Sequence, residues 1–128
     1  MIEINNLSGF RIDKKLFTGV AKKVLKGENK GIKNISLAFV TKEEIKKLNK
    51  KHRGKNKPTD VLAFGEISNF KFQISNYLGE VVICPEIAKG EMLRVFVHGI
   101  LHLLGYDHKT ERQAEKMQKA EEKYISRI

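Results

Sequence analysis

The chain has 128 residues, 41% apolar and 31% charged, a size and balance that suit one domain with its own core. It carries 25 Lys and Arg against 15 Asp and Glu, a net charge of +10, and a single cysteine. An internal disulfide framework is excluded, and polyanions become the favoured class of partner.

No run of about eighteen apolar residues suggests a membrane-spanning helix. The opening MIEINN lacks the basic start and apolar stretch of a secretory signal. The expectation is a reducing, cytoplasmic setting with neither a membrane nor a disulfide-linked partner.

In chain order, residues 2–6 suit a short first strand. Asp13 reads as the N-cap of a helix that turns Leu16, Phe17, Val20 and Val24 inward and closes at Gly27. Ile35, Leu37 and Phe39 alternate with Ser36, Ala38 and Val40, the period of a strand. Thr41 and Glu44 have the spacing of a capping box for a second helix, with Ile45 and Leu48 inward. Gly54, Asn56 and Pro58 break that helix into a loop.

Between Lys42 and Lys57 stand eight basic residues against two acidic ones, a net of +6. Lysine-rich surfaces also serve solubility and heat adaptation. Clustering of this kind favours a phosphate backbone, with Lys46, Lys50, Lys55 and Lys57 as candidate RNA contacts.

Val61 to Phe64 reads as a buried strand, Asn69 to Ser75 as an edge strand or hairpin arm, and Tyr77 to Cys84 as a strand stopped by Pro85. Glu91 to Leu104 is apolar on most sides and reads as a buried central helix ended by Gly105. Thr110 and Gln113 open a final amphipathic helix with Ala114, Met117, Tyr124 and Ile128 inward. The expected fold is α+β: one domain over residues 1–128, a mixed β-sheet, helices packed mainly on one face, and a buried helix bearing a metal site.

Three of the four histidines, His98, His102 and His108, fall within eleven residues, in HGILHLLGYDH. Positions four apart share one helix face, and a chain reversed at Gly105 can bring His108 back to the same point. An apolar core gains nothing from three desolvated imidazoles, so ligation outweighs simple packing. Three nitrogen ligands leave a fourth tetrahedral position open, the pattern of a catalytic zinc site. An ion held this way lowers the pKa of its water to about 7. Nickel, copper or iron would also suit three imidazoles.

The bare spacing HxxxHxxGxxH is shared with metzincin proteases. Those enzymes carry a glutamate as general base where this chain has Gly99, which counts against a peptidase. Gly99 either opens space beside the ion or allows close backbone packing.

The segment HGILHLLGYDH, together with NKKHRGKNKPTDVLAF at 49–64 and LGEVVIC at 78–84, resembles the YbeY family of bacterial metal-dependent endoribonucleases. The resemblance implies that His98, His102 and His108 hold one Zn(2+) per chain, and that Arg53 is a functional arginine. It further implies single-strand-specific cleavage in ribosomal RNA maturation and ribosome quality control, with RNA and the ribosome or its small subunit as partners. A guanidinium that grips two phosphate oxygens while charge develops at phosphorus gives Arg53 a physical role. A non-catalytic RNA-binding or ribosome-assembly factor with a structural metal remains a second class of function.

Some positions depart from the family's pattern. Ala63 and Gly65 stand in place of serine and proline, the tail is short, and the segment from Cys84 to His98 is shortened, with the element before the metal-bearing helix expected to be missing. Asp107 is a candidate second-shell acceptor or a turn residue. His52 is read as a surface residue, Thr59 and Asp60 as loop-fixing, and Tyr106 as a packed ring.

Overall fold

The computed structural model describes residues 2–31, 33–65 and 77–126. Its strands are β1 (Ile2–Asn6), β2 (Asn34–Phe39), β3 (Val61–Gly65) and β4 (Tyr77–Ile83). Its helices are α1 (Lys14–Gly27), α2 (Lys42–Arg53), the single turn α3 (Pro85–Ala88), α4 (Met92–Leu103) and α5 (Glu111–Ile125). The sheet runs in the order β1-β2-β4-β3, with the first three strands parallel and β3 antiparallel to β4. The α+β expectation holds, and the sheet is mixed.

Strand alternation divides the helices between the two faces. Ile35, Leu37 and Phe39 of β2, with Val81 and Ile83 of β4, pack against α1, α4 and α5. Phe17 meets Phe39 and Phe96 edge-on, with ring centroids 5.1 and 5.4 Å apart. The opposite face is covered by α2, through Ile45 against Leu62, Val82 and Cys84. Three of the longer helices therefore share one face and the fourth covers the other. Residues such as Phe96, which is fully buried, each contribute roughly 1.5–3 kcal/mol by leaving water.

The caps form where local chemistry places them. Asp13 accepts from the Leu16 N–H, and Thr41 from the Glu44 N–H. Thr110 and Gln113 complete a reciprocal capping box. These contacts satisfy N–H groups that a helix start leaves without partners.

Several sequence expectations change. Leu16 does not face inward: it is 38% exposed, and the buried side of α1 is Phe17, Val20, Ala21, Val24 and Leu25. Of the last helix, Met117, Ala120 and Tyr124 are buried while Ala114 is half-buried; Ile128 lies outside the described residues. The stretch Asn69 to Ser75 also lies outside them.

The strand Val61 to Phe64 is not buried throughout. Leu62 is, but Val61, Ala63 and Phe64 are partly exposed; among the described residues β3 is an edge strand with β4 on one side. No element was expected between Cys84 and the helix that carries His98, yet α3 and a 3-10 turn at Lys89–Glu91 stand there. Pro85 starts α3 because its missing N–H costs nothing at a first helical position. Cys84 is a free, buried thiol. Among the described residues no helix is long and apolar enough to cross a membrane.

Candidate metal centre

His98 and His102 lie one turn apart on α4, which ends in a tight reversal. The Gly105 N–H donates to the His102 carbonyl and the Tyr106 N–H to the Leu101 carbonyl, the paired bonds of a Schellman ending. Gly105 sits at φ +106°, a conformation that side chains resist. The reversed chain brings His108 back, and the Asp107 carboxylate accepts from the His108 N–H at 2.8 Å.

The ring centroid of His108 is then 5.6 Å from that of His98 and 6.3 Å from that of His102. His102, Asp107 and His108 each offer one ligand atom, all within 4.8 Å of one another. Asp107 is thus both a turn residue, one of the two roles expected for it, and a member of the ligand-capable group. His98 is not in that tightest group. Its Nδ1 is bonded to Glu121 Oε2 at 2.7 Å, which leaves Nε2 as its unengaged ring nitrogen.

The three histidines line a cleft of about 570 Å³ together with Val61 to Phe64 of β3 and with His52, Arg53 and Lys109. Arg53 occupies the last turn of α2, which Gly54 closes. The buried Asn49 holds the following loop by donating to the Lys57 carbonyl at 2.8 Å. The Asp60 carbonyl accepts from the Cys84 N–H, and the Thr59 hydroxyl donates to the Asp60 carboxylate at 3.4 Å. Both residues fix the loop that leads into β3.

The His52 ring lies 4.7 Å from Phe64 at the cleft margin. Lys46, Lys50, Lys55 and Lys57 are exposed and do not line the cleft, so they do not join the histidines there. Tyr106 packs against the main core and donates to Glu28 at 2.7 Å. Burial first, then that bond and the Glu28 charge, push its phenol up to about 12.

Gly99 faces the sheet. A Cβ there would stand 2.9 Å from Val81 Cγ1, so close packing is the reason for glycine at this position. Gly99→Ala is expected to destabilise the fold by about 1–3 kcal/mol, read as a lower midpoint in denaturant melts. A glutamate at 99 would begin its side chain inside the interface with β4, which removes the group a zinc peptidase of this spacing needs.

The model of the family described as Endoribonuclease YbeY matches residues 3–128. The chain belongs to the YbeY family. Two relatives carrying that description come from Sulfurihydrogenibium sp. (strain YO3AOP1), 40% identical over 83% of this chain and 76% of its own, and Finegoldia magna, 35% identical over 100% and 94%. A solution structure of a protein from Thermotoga maritima shares the fold, with a TM-score of 0.59, 30% identity, and coverage of 99% of this chain and 91% of its own.

Imidazole nitrogens plus one carboxylate oxygen suit a borderline divalent ion such as zinc, so the donor set fits the metal that YbeY resemblance implies. Sequence reasoning missed Glu121 and Asn49. An acid beside the buried positions Met117, Ala120 and Tyr124 of α5 is the signal that could have found Glu121. Asn49 gave a weaker one, a polar residue next to the inward Leu48.

Proposed function

We propose that this protein is a zinc-dependent endoribonuclease that cuts single-stranded ribosomal RNA during ribosome maturation and quality control in the cytoplasm, with residues 1–128 as one catalytic domain. The observation that carries the reading is the cleft itself, lined by His98, His102, Asp107, His108 and Arg53, with His102, Asp107 and His108 close enough to share an ion. When bound, the ion supplies Lewis acidity toward a phosphate oxygen or an attacking water.

The chain's own residues do the rest. The guanidinium of Arg53 grips two non-bridging oxygens and meets the charge that builds at phosphorus. Lys46, Lys50, Lys55 and Lys57 hold flanking phosphates and release counterions on binding. Strand β3, outermost among the described residues, forms a surface along which an unpaired nucleic-acid strand lies, and the His52–Phe64 pair offers ring faces to a base.

A second reading rests on Asp107. If it joins the three histidines as a fourth ligand, the site closes and the metal becomes structural, leaving an RNA-binding assembly factor. Labelled ribosomal RNA fragments and casein, incubated with metal-replete and chelated protein, separate the possibilities. The expected result is cleavage of single-stranded RNA that chelation abolishes and zinc restores, with casein intact. Metal-dependent RNA binding without cleavage would establish the assembly factor, and cleavage indifferent to chelation would remove the metal from the mechanism.

A further inference from the structure

Two ring nitrogens make His98 an ambiguous ligand until something chooses between them. Its Nδ1 lies 2.7 Å from Oε2 of Glu121, across the interface between α4 and α5 and 23 residues away in sequence. The Glu121 side chain is only 12% exposed, against 33% for His98. Its second oxygen, Oε1, lies 3.8 Å from Arg94 Nη1, and Arg94 also pairs with Glu91 at 3.2 Å. Arg94, His98 and His102 follow one another at intervals of one turn along α4. That stripe starts at the Glu121 carboxylate and ends in the ligand-capable group. One turn before Glu121, Met117 is 1% exposed and anchors α5 in the main core, so the carboxylate is carried on a rigid element.

A carboxylate only accepts hydrogen bonds, so at this distance the imidazole proton belongs on Nδ1. The lone pair is then on Nε2, the nitrogen left for the cleft. A surface ion pair would do none of this, and an α4–α5 contact needs no histidine.

We infer that Glu121 is a positioning residue for the metal centre: it selects the Nδ1–H tautomer of His98 and holds its ring so that Nε2 is presented as a ligand. The inference rests on the metal-dependent reading above. Arg94 steadies the far oxygen of the same carboxylate and keeps it from turning away. Neither residue touches the substrate, so their effect reaches the reaction through His98 alone.

The test compares wild type, Glu121→Gln and Glu121→Ala, each checked for fold by thermal melting. The glutamine keeps the size of the side chain and an acceptor oxygen, so it serves even where alanine loosens α5. Nitrogen-15 spectra of the metal-free protein with neutral rings report which nitrogen of His98 holds the proton, and zinc affinity is measured by competition with a chelating dye. Wild type should show protonated Nδ1, and Glu121→Ala the mixture of an unrestrained imidazole. Outer partners of ligating histidines are worth about 10–100-fold in metal affinity, so Glu121→Ala should lose that much and Glu121→Gln less. At saturating zinc, both variants should recover most of their RNA cleavage.

Wild-type affinity together with an Nδ1-protonated His98 in folded Glu121 variants would overturn the inference. A wild-type protein that binds zinc but cuts no RNA would overturn the nuclease reading alone, because the affinity contrast would still be measured. A wild type that takes up no metal would overturn both.

Discussion

His98→Ala and His102→Ala are each expected to abolish both stoichiometric metal and RNA cleavage while leaving the fold intact. The fold survives because His98 is only partly buried and His102 is exposed, and neither belongs to the packed core. Substitutions at such positions usually change stability by within about 0.5 kcal/mol. Metal retention is another matter. Removing an outer partner of a ligand costs about 10–100-fold in affinity, and removing the ligand itself should cost more. His108→Ala should behave in the same way, since its ring centroid is 5.6 Å from that of His98 and 6.3 Å from that of His102. Elemental analysis of purified variants, alongside thermal melts, is the direct measurement. Full metal content in the His98/His102 double variant would sink the assignment, because Asp107 and His108 alone would then be holding the ion.

Arg53→Ala should separate chemistry from metal retention. Arg53 is exposed at the last turn of α2 and is not a member of the ligand-capable group, so fold and zinc content should be unchanged. If the guanidinium meets charge that develops at phosphorus, single-turnover cleavage under saturating enzyme should fall by about 10²–10³-fold, the usual loss for one such donor. Arg53→Lys should recover part of the rate, since an ammonium keeps the charge and loses the two-pronged geometry. A defect confined to binding, with saturated turnover unchanged, would make Arg53 a uniform binder of substrate. Wild-type turnover in Arg53→Ala would take it off the catalytic list. The lysines around it make the comparison sharp, because Lys50 and Lys55 are near in sequence and do not line the cleft.

What the sequence determined by itself is the part of the molecule built from bonds between near neighbours. The alternation of Ile35, Leu37 and Phe39 marked β2, and the pair Thr110 and Gln113 marked the start of α5. The HxxxHxxGxxH spacing foretold the reversal at Gly105, because a Schellman ending closes over six residues, here Leu101 to Tyr106, and needs only a glycine at the right place. These contacts are local, so residue order alone carries them. The tertiary structure decided the rest. Which strand becomes an edge depends on pairing across the whole sheet, and among the described residues that pairing left β3 outermost, with Val61, Ala63 and Phe64 partly exposed where the strand lines the cleft. Whether Gly99 opens space or permits contact was settled by Val81, which lies on another strand. The bond from Glu121 to His98 joins positions 23 apart on two helices, and no periodicity within either helix encodes it. Such contacts exist only once the sheet and helices have closed around one core and set the distances between their faces.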